Sequence, residues 1–343
     1  MRASINRWLP PRLSNLALLS VLLLALATGA GAVATGSSGG RWVVIAHGVT
    51  GMSVILLVPW KGRVIRRGLR RVRRARWASL LLAALAITTL VTGVGHSTGL
   101  IRSVGGRYGM WVHIAAGLAL VPLLAWHVLA RQSRPHRTDL SRRVALKAGL
   151  LGVAAAALYV TTDAFTQLAR LPGAHRRFTG SQEIGSFDPA SMPSTIWLND
   201  SAPTVDAERW RLTVLDGLGS YQLTLPELAA KQTPLRATLD CTSGWYAQQD
   251  WAGVPVSFLI RDTGEARSLL VRSVTGYWIR FPADELDQLL LAMSVGGEPL
   301  ARRHGFPLRL VAPSRRGYWW VKWVDRIELQ RTPAWWQPPF PLT

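Results

Sequence analysis

The first 138 residues contain no aspartate or glutamate, against eighteen lysines and arginines. That absence excludes an ordinary soluble surface, on which charges of both signs are interspersed. Cysteine occurs once, at Cys241, so no internal disulfide can form. A buried small hydrophobe, a reactive thiol and a soft metal ligand all remain open at that position. Long apolar runs are missing after residue 165, where nineteen basic and seventeen acidic side chains nearly cancel. The formal net charge of +21 therefore belongs almost wholly to the first half. Its basic residues lie between apolar runs, as in membrane loops, which argues against nucleic acid as a partner.

What the first half does have is five stretches, 14–36, 42–60, 77–99, 109–130 and 144–165, long and apolar enough to cross about 30 Å of hydrocarbon. The first follows Arg2, Arg7 and Arg12 and ends in small residues, as a signal peptide does; with four further spans behind it, it reads as a retained helix. Nine basic residues fall between Lys61 and Arg76, and Arg131, Arg134, Arg137, Arg142 and Arg143 precede the fifth span. Both segments are expected on the cytoplasmic side, and the sparse loops with Arg41, Arg102 and Arg107 on the outer side. Five crossings then place everything after Phe165 outside a bacterial cytoplasmic membrane. Ser141-Arg142-Arg143-Val144-Ala145-Leu146-Lys147 resembles a twin-arginine export signal, which serves domains that fold before export.

Ionisable residues inside apolar spans are costly and usually functional. His47 and His113 fall at similar depths on the second and fourth spans and could hold one b-type haem from both faces. His96, near the outer end of the third span, is an alternative ligand. His127 follows His113 by fourteen residues, about four turns, on the same face and about 21 Å further in. The matching depth on the second span carries Lys61, so one outer haem is expected. The plainer alternative is that these imidazoles bond backbone carbonyls or line a substrate path.

The second half is organised as a mixed α+β domain. Trp210–Leu215, Arg236–Leu239, Ser268–Ser273 and Arg309–Val311 alternate as strands do, and Leu225–Lys231 and Ala283–Met293 read as short helices. The expected boundaries are 1–165 for the membrane bundle, 166–177 for a linker and 178–343 for the exported domain. Residues 239–260 (LDCTSGWYAQQDWAGVPVSFLI) combine the lone cysteine, a polar turn, aromatics and WxGVP. They read as the wall of a cofactor pocket rather than as a core strand.

Three further motifs follow in order: Gly297-Glu298-Pro299-Leu300, His304-Gly305-Phe306-Pro307-Leu308-Arg309, and Gly317-Tyr318-Trp319-Trp320-Val321-Lys322-Trp323. Together with the cysteine segment they resemble the molybdopterin-binding domain of the sulfite oxidase superfamily over about residues 178–330. The resemblance implies an α+β sulfite-oxidase-like fold and a molybdenum-molybdopterin cofactor with Cys241 as the metal's protein ligand. It implies pterin contacts from His304, Arg309, Trp320, Val321 and Lys322, and from Asn199 in TIWLND. Guanidinium, ammonium and imidazole donors suit a cofactor that carries a phosphate and a polar ring system.

Two departures narrow the resemblance. Thr242-Ser243-Gly244-Trp245-Tyr246 supplies none of the arginines that follow the cysteine in animal and plant sulfite oxidases. Thr275-Gly276-Tyr277 stands where relatives often have Asp-Gly-Tyr. Both are nearer the bacterial branch, which includes the catalytic subunit of the periplasmic methionine sulfoxide reductase. The expected protein is a membrane-bound oxygen-atom-transfer enzyme relaying electrons through haem to or from the quinone pool. Reduction of an S-oxide or N-oxide is the first expectation. Oxidation of sulfite or a similar small reduced compound is the alternative, and a pterin-binding membrane protein without turnover is the non-enzymatic one.

Overall fold

A computed structural model of the chain describes residues 9–69, 76–130, 136, 139, 141–196 and 201–338. It divides into two compact units, Met1–Val33 with Ser38–Gln182, and Ala34–Ser37 with Glu183–Thr343. Residues 166–182, expected as linker and domain start, belong to the first unit.

The first unit contains five helices, each long and apolar enough to cross a membrane. They are α1 (Pro11–Ala34), α2 (Arg41–Leu69), α3 (Arg76–Thr98), α4 (Gly109–Ala130) and α5 (Arg142–Leu168). Their apolar residues do not gather on one stripe, and Leu24, Ile87, Leu118, Leu150 and Val160 are exposed. A helix apolar all round needs an apolar surrounding on every side. α3 packs chiefly on α4, and α2 on α5. A two-stranded hairpin, β1 (Ser103–Val104) and β2 (Arg107–Tyr108), joins α3 to α4. Gly105 and Gly106 make its turn at φ of 55° and 75°, where two left-handed residues match the strand twist. Arg12 at the start of α1 pairs with Asp139 before α5.

The second unit is built on two sheets. One runs β11 (Glu298–Pro299), β10 (Leu290–Val295), β7 (Trp245–Pro255), β3 (Gln182–Glu183). β12 (Arg309–Val311) joins this sheet on β10, and β6 (Thr233–Asp240) joins it on β7. The other has the order β5 (Gly219–Leu223), β4 (Leu212–Asp216), β13 (Val324–Gln330), β8 (Ser268–Ser273), β9 (Trp278–Pro282), with β13 parallel to β4. One short helix, α6 (Leu225–Ala229), opens on a capping box in which Thr224 and Glu227 satisfy each other's backbone N–H groups.

Two expectations are corrected here. Ala283–Met293 is not one helix: a 3-10 turn covers Ala283–Gln288, and β10 begins at Leu290. Residues 239–260 do contain a core strand. Along β7 the side chains of Trp245, Ala247, Gln249 and Trp251 are buried, every second residue, while Asp250 between them is exposed. Trp245, Trp251, Trp320 and Trp323 are among the most buried side chains. Each ring removes about 200 Å² from water, on the order of 5 kcal/mol at about 25 cal/mol per Å² before the entropy of ordering.

Candidate active site

Cys241 sits in the turn that joins β6 to β7, just beyond the last pair of the ladder, Asp240 opposite Tyr246. Its N–H donates to the Trp245 carbonyl at 2.8 Å, and Gly244 turns the chain at φ 91° while its N–H returns to the Cys241 carbonyl at 3.1 Å. Few residues other than glycine adopt that φ at low cost. From the far end of the domain, Arg316 donates Nη1 to Asp240 Oδ1 at 2.6 Å and Nη2 to the Cys241 carbonyl at 3.1 Å. Both Arg316 and Asp240 are buried. Next to Arg316, a Cβ on Gly317 would lie 3.1 Å from Cys241 Cα, so glycine lets the two loops touch. The thiol is 7% exposed, and its Sγ lies 3.0 Å from Ser243 Oγ.

The cleft above the thiol holds about 530 Å³ including its open mouth and is bounded by Thr195, Tyr277, Tyr318, Trp320, Val321 and Lys322 among others. Trp320 and Val321 occupy a tight turn in which their N–H groups reach Gly317 and Trp319 carbonyls. The Tyr277 hydroxyl donates to the Tyr318 carbonyl at 2.5 Å. Lys322 donates Nζ to Ser194 Oγ, Thr195 O and Arg303 O at 3.1, 2.9 and 2.7 Å.

Behind this wall lie His304 and Arg309. Gly305, at φ 112°, passes so close to Arg309 and Lys322 that a Cβ would meet them at 3.1 and 3.3 Å. Arg309 is 2% exposed, with its guanidinium carbon 5.4 and 5.7 Å from the ring centroids of Trp251 and Trp320. It donates Nη1 to the His304 carbonyl at 3.1 Å, whereas its Nε has no partner among the described residues. Burial pulls the guanidinium down to about 10, with only the Cys241 charge acting to raise it. His304 is drawn down to about 4, first by burial and then by the Arg309 and Lys322 cations, so its imidazole is neutral at neutral pH. Its Nδ1 is buried without a partner among the described residues.

The structure thus brings Cys241, His304, Arg309, Trp320, Val321 and Lys322 into one region; Asn199 lies outside the described residues. Asp240, Arg316, Ser243, Thr195 and Tyr277 reach the same place without having been singled out. The acid directly before the lone cysteine is the one signal available in the sequence, since a carboxylate buried there demands a cation.

In the helical unit, His47 on α2 and His113 on α4 meet edge to face with ring centroids 5.9 Å apart. His47 Nδ1 lies 3.0 Å from the Ala25 carbonyl of α1, and His113 Nδ1 lies 2.8 Å from the Thr89 carbonyl of α3. Four residues on from each carbonyl is a glycine under the ring: a Cβ on Gly29 would lie 3.1 Å from His47, and one on Gly93 2.9 Å from His113. The two segments read ALATGAG (25–31) and TLVTGVG (89–95), a repeat that marks α1–α2 and α3–α4 as similar hairpins. His96 does not join this pair. Its Nε2 lies 3.0 Å from the Gly180 carbonyl, and its own carbonyl accepts from Gln182. His127 lies in the last turn of α4, and Lys61 donates to Asn15 of α1 at 3.0 Å.

The model of the oxidoreductase molybdopterin binding domain matches residues 199–336. YuiH of Bacillus subtilis, an uncharacterized oxidoreductase, is 30% identical over 145 residues, 38% of this chain and 72% of that protein. YedZ1 of Azospira oryzae, a putative protein-methionine-sulfoxide reductase subunit, is 31% identical over 137 residues, and this chain spans about half (52%) of its length. The sulfane dehydrogenase SoxCD structure from Paracoccus pantotrophus aligns over 38% of this chain and 41% of that one, at 26% identity and a TM-score of 0.36. With a thiol, buried cations and aromatic wall converging where the matched domain lies, the chain belongs to the sulfite oxidase family of molybdopterin-binding oxidoreductases and is a molybdenum-dependent oxidoreductase.

Proposed function

We propose that the protein is a membrane-anchored reductase of small neutral S-oxides or N-oxides, in which the centre at Cys241 is supplied from quinol through a b haem between His47 and His113. The cleft carries this assignment: among the described residues that line it the single cation, Lys322, already donates to three oxygens of the protein. Its remaining wall of hydroxyls and aromatic rings suits a neutral polar oxygen better than an anion. The similarity to YedZ1, a putative protein-methionine-sulfoxide reductase subunit, points the same way.

The residues fit the pterin cofactor. Among the described residues Arg309 is a buried cation with an unpartnered Nε and no carboxylate bonded to it, and His304 keeps an unpartnered Nδ1, so each has a donor or acceptor to spare for an anionic, polar ligand. When bound, the pterin-held molybdenum supplies two-electron oxygen-atom transfer. Cys241 offers it a soft sulfur. His304, Arg309 and Lys322 offer charge and hydrogen bonds, Trp320 and Val321 backbone groups, and Asn199 a further contact. Burial pushes the Tyr318 phenol above its ordinary value, so it stays protonated at neutral pH.

The histidine pair fits a haem. Each ring commits Nδ1 to a carbonyl, which leaves Nε2 for iron. A centroid separation of 5.9 Å is the scale of two metal–nitrogen bonds of about 2 Å plus two half-rings. The Arg12–Asp139 pair supports a start of α1 and an approach to α5 on the same side, as the four crossings between them require. The twin-arginine-like segment opening at Ser141 then leads α5 outward, with the β unit on the extracytoplasmic side and the bilayer and quinone pool as partners of the helices.

Single-turnover spectroscopy tests the direction. Protein reduced chemically and then given an S-oxide should show its haem bands return to the oxidised form. If the oxidised protein instead responds to sulfite and the reduced protein ignores every S-oxide and N-oxide, the assignment as a reductase is wrong.

A further inference from the structure

The groups around Cys241 form a hydrogen-bonded line that ends on its sulfur. Trp245 Nε1 donates to Thr195 Oγ1 at 3.4 Å, Thr195 Oγ1 lies 3.2 Å from Ser243 Oγ, and Ser243 Oγ lies 3.0 Å from Cys241 Sγ. Trp245 and Ser243 are each 2% exposed. Thr195 belongs to no strand; it is held where it is by its carbonyl, which accepts from Lys322 Nζ.

The direction of this line follows from counting protons. An indole N–H only donates, and each hydroxyl has one proton to give. While the sulfur carries a proton, it can donate to Ser243, Ser243 to Thr195, and Thr195 can accept from both sides. A sulfur bound to a metal has no proton. Ser243 must then donate to it, Thr195 to Ser243, and Trp245 to Thr195, so every donor in the line points at the sulfur.

We infer that Ser243, oriented by Thr195 and Trp245, tunes the molybdenum centre by donating a hydrogen bond to its cysteine sulfur. The inference rests on the assignment of Cys241 as the metal's ligand. Hydrogen bonds to ligating sulfurs draw charge away from them, make them weaker donors and favour the reduced metal. In a buried site the effect is not diluted by solvent. Ser243 is therefore a positioning residue that acts through Cys241, and its role is to raise the potential at which electrons are accepted. The sequence offers no sign of the contact, because Thr195, at the start of TIWLND, and Ser243, in the cysteine segment, are 48 positions apart and meet only on folding.

The experiment uses the full-length, detergent-solubilised holoenzyme and four chains: wild type, Ser243→Ala, Ser243→Thr and Thr195→Val. Molybdenum content is measured first, then the midpoint potentials of the metal by redox titration, read from the paramagnetic pentavalent state. Ser243→Ala should keep its molybdenum and shift to lower potential. Thr195→Val should shift in the same direction by less, and Ser243→Thr, which keeps the hydroxyl, should stay at the wild-type value. A wild-type potential in Ser243→Ala, or an equal shift in Ser243→Thr, overturns the inference while leaving the ligand assignment intact. Should Ser243→Ala fail to load, the Thr195→Val arm decides, and an unchanged potential there overturns it. Wild-type protein without molybdenum overturns both the inference and the assignment beneath it.

Discussion

The two units hold their reactive side chains by different means. In the helices, each histidine is fixed by a carbonyl and a glycine from the helix that precedes it in the chain, with Thr28 of that helix adding a contact to His47. In the β unit, the turn that carries Cys241 is closed by Gly244 and Trp245 and held from outside by Arg316 on the Cys241 carbonyl and by Thr195 on Ser243. A helix presents its backbone carbonyls at fixed intervals, so a ligand site needs only the right period and a small residue opposite. A turn between strands has no such lattice and must be clamped from outside. The helical site is therefore simple and repeated, whereas the β site depends on one buried ion pair.

Four outcomes would sharpen or break that contrast. Cys241→Ser should have the largest effect, taking turnover below detection while the haem spectrum of the same protein is unchanged. A lost haem spectrum in that variant would mean the units are not independent in the way described. Next, His47→Ala or His113→Ala should abolish the Soret band and leave molybdenum content at the wild-type level, whereas His96→Ala should retain the band. Full haem in either of the first two variants would remove the pair as ligands.

Third, Arg316→Ala leaves Asp240 buried without its guanidinium, a loss of about 3–5 kcal/mol for a broken buried pair. Hydrogen exchange should then accelerate in β6 and β7 and stay unchanged in α3 and α4. Exchange that rises equally in all four elements would contradict the local role given to the ion pair.

The smallest effect concerns pH. His304 has a folded value of about 4, below its ordinary 6.5, so the unfolded chain takes up a proton in that window and the folded chain does not. Its contribution to stability is complete above about 6.5 and declines as pH falls to about 4, by on the order of 3 kcal/mol. His304→Gln should flatten that part of the pH–stability profile of the β unit. An unaltered slope would show that other groups produce it.

Much of the fold is legible from residue order. The five apolar spans lie within about three residues of the helices at most ends, since apolarity that continues all round a segment leaves little else for it to be. Ser268–Ser273 and Arg309–Val311 are strands as read. Ala283–Met293 is misread because an acidic start after Pro282 imitates a helix N-terminus. The decisive fact, that Leu290 pairs with both Pro255 and Val311, lies elsewhere in the chain. The motif residues from His304 to Lys322 do gather behind Cys241. What was hidden are the pairs that meet only after folding: Asp240 with Arg316, Thr195 with Ser243, and the two glycines beneath the histidines.

The solitary thiol also makes the protein its own assay. With one sulfhydryl per chain, and that one in the cleft where the metal is assigned, a thiol-reactive dye can label only molecules whose sulfur is unengaged. Dye incorporated per chain under native conditions should therefore rise as the molybdenum count falls. Loading could thus be followed by a readout on the protein itself, independent of metal analysis.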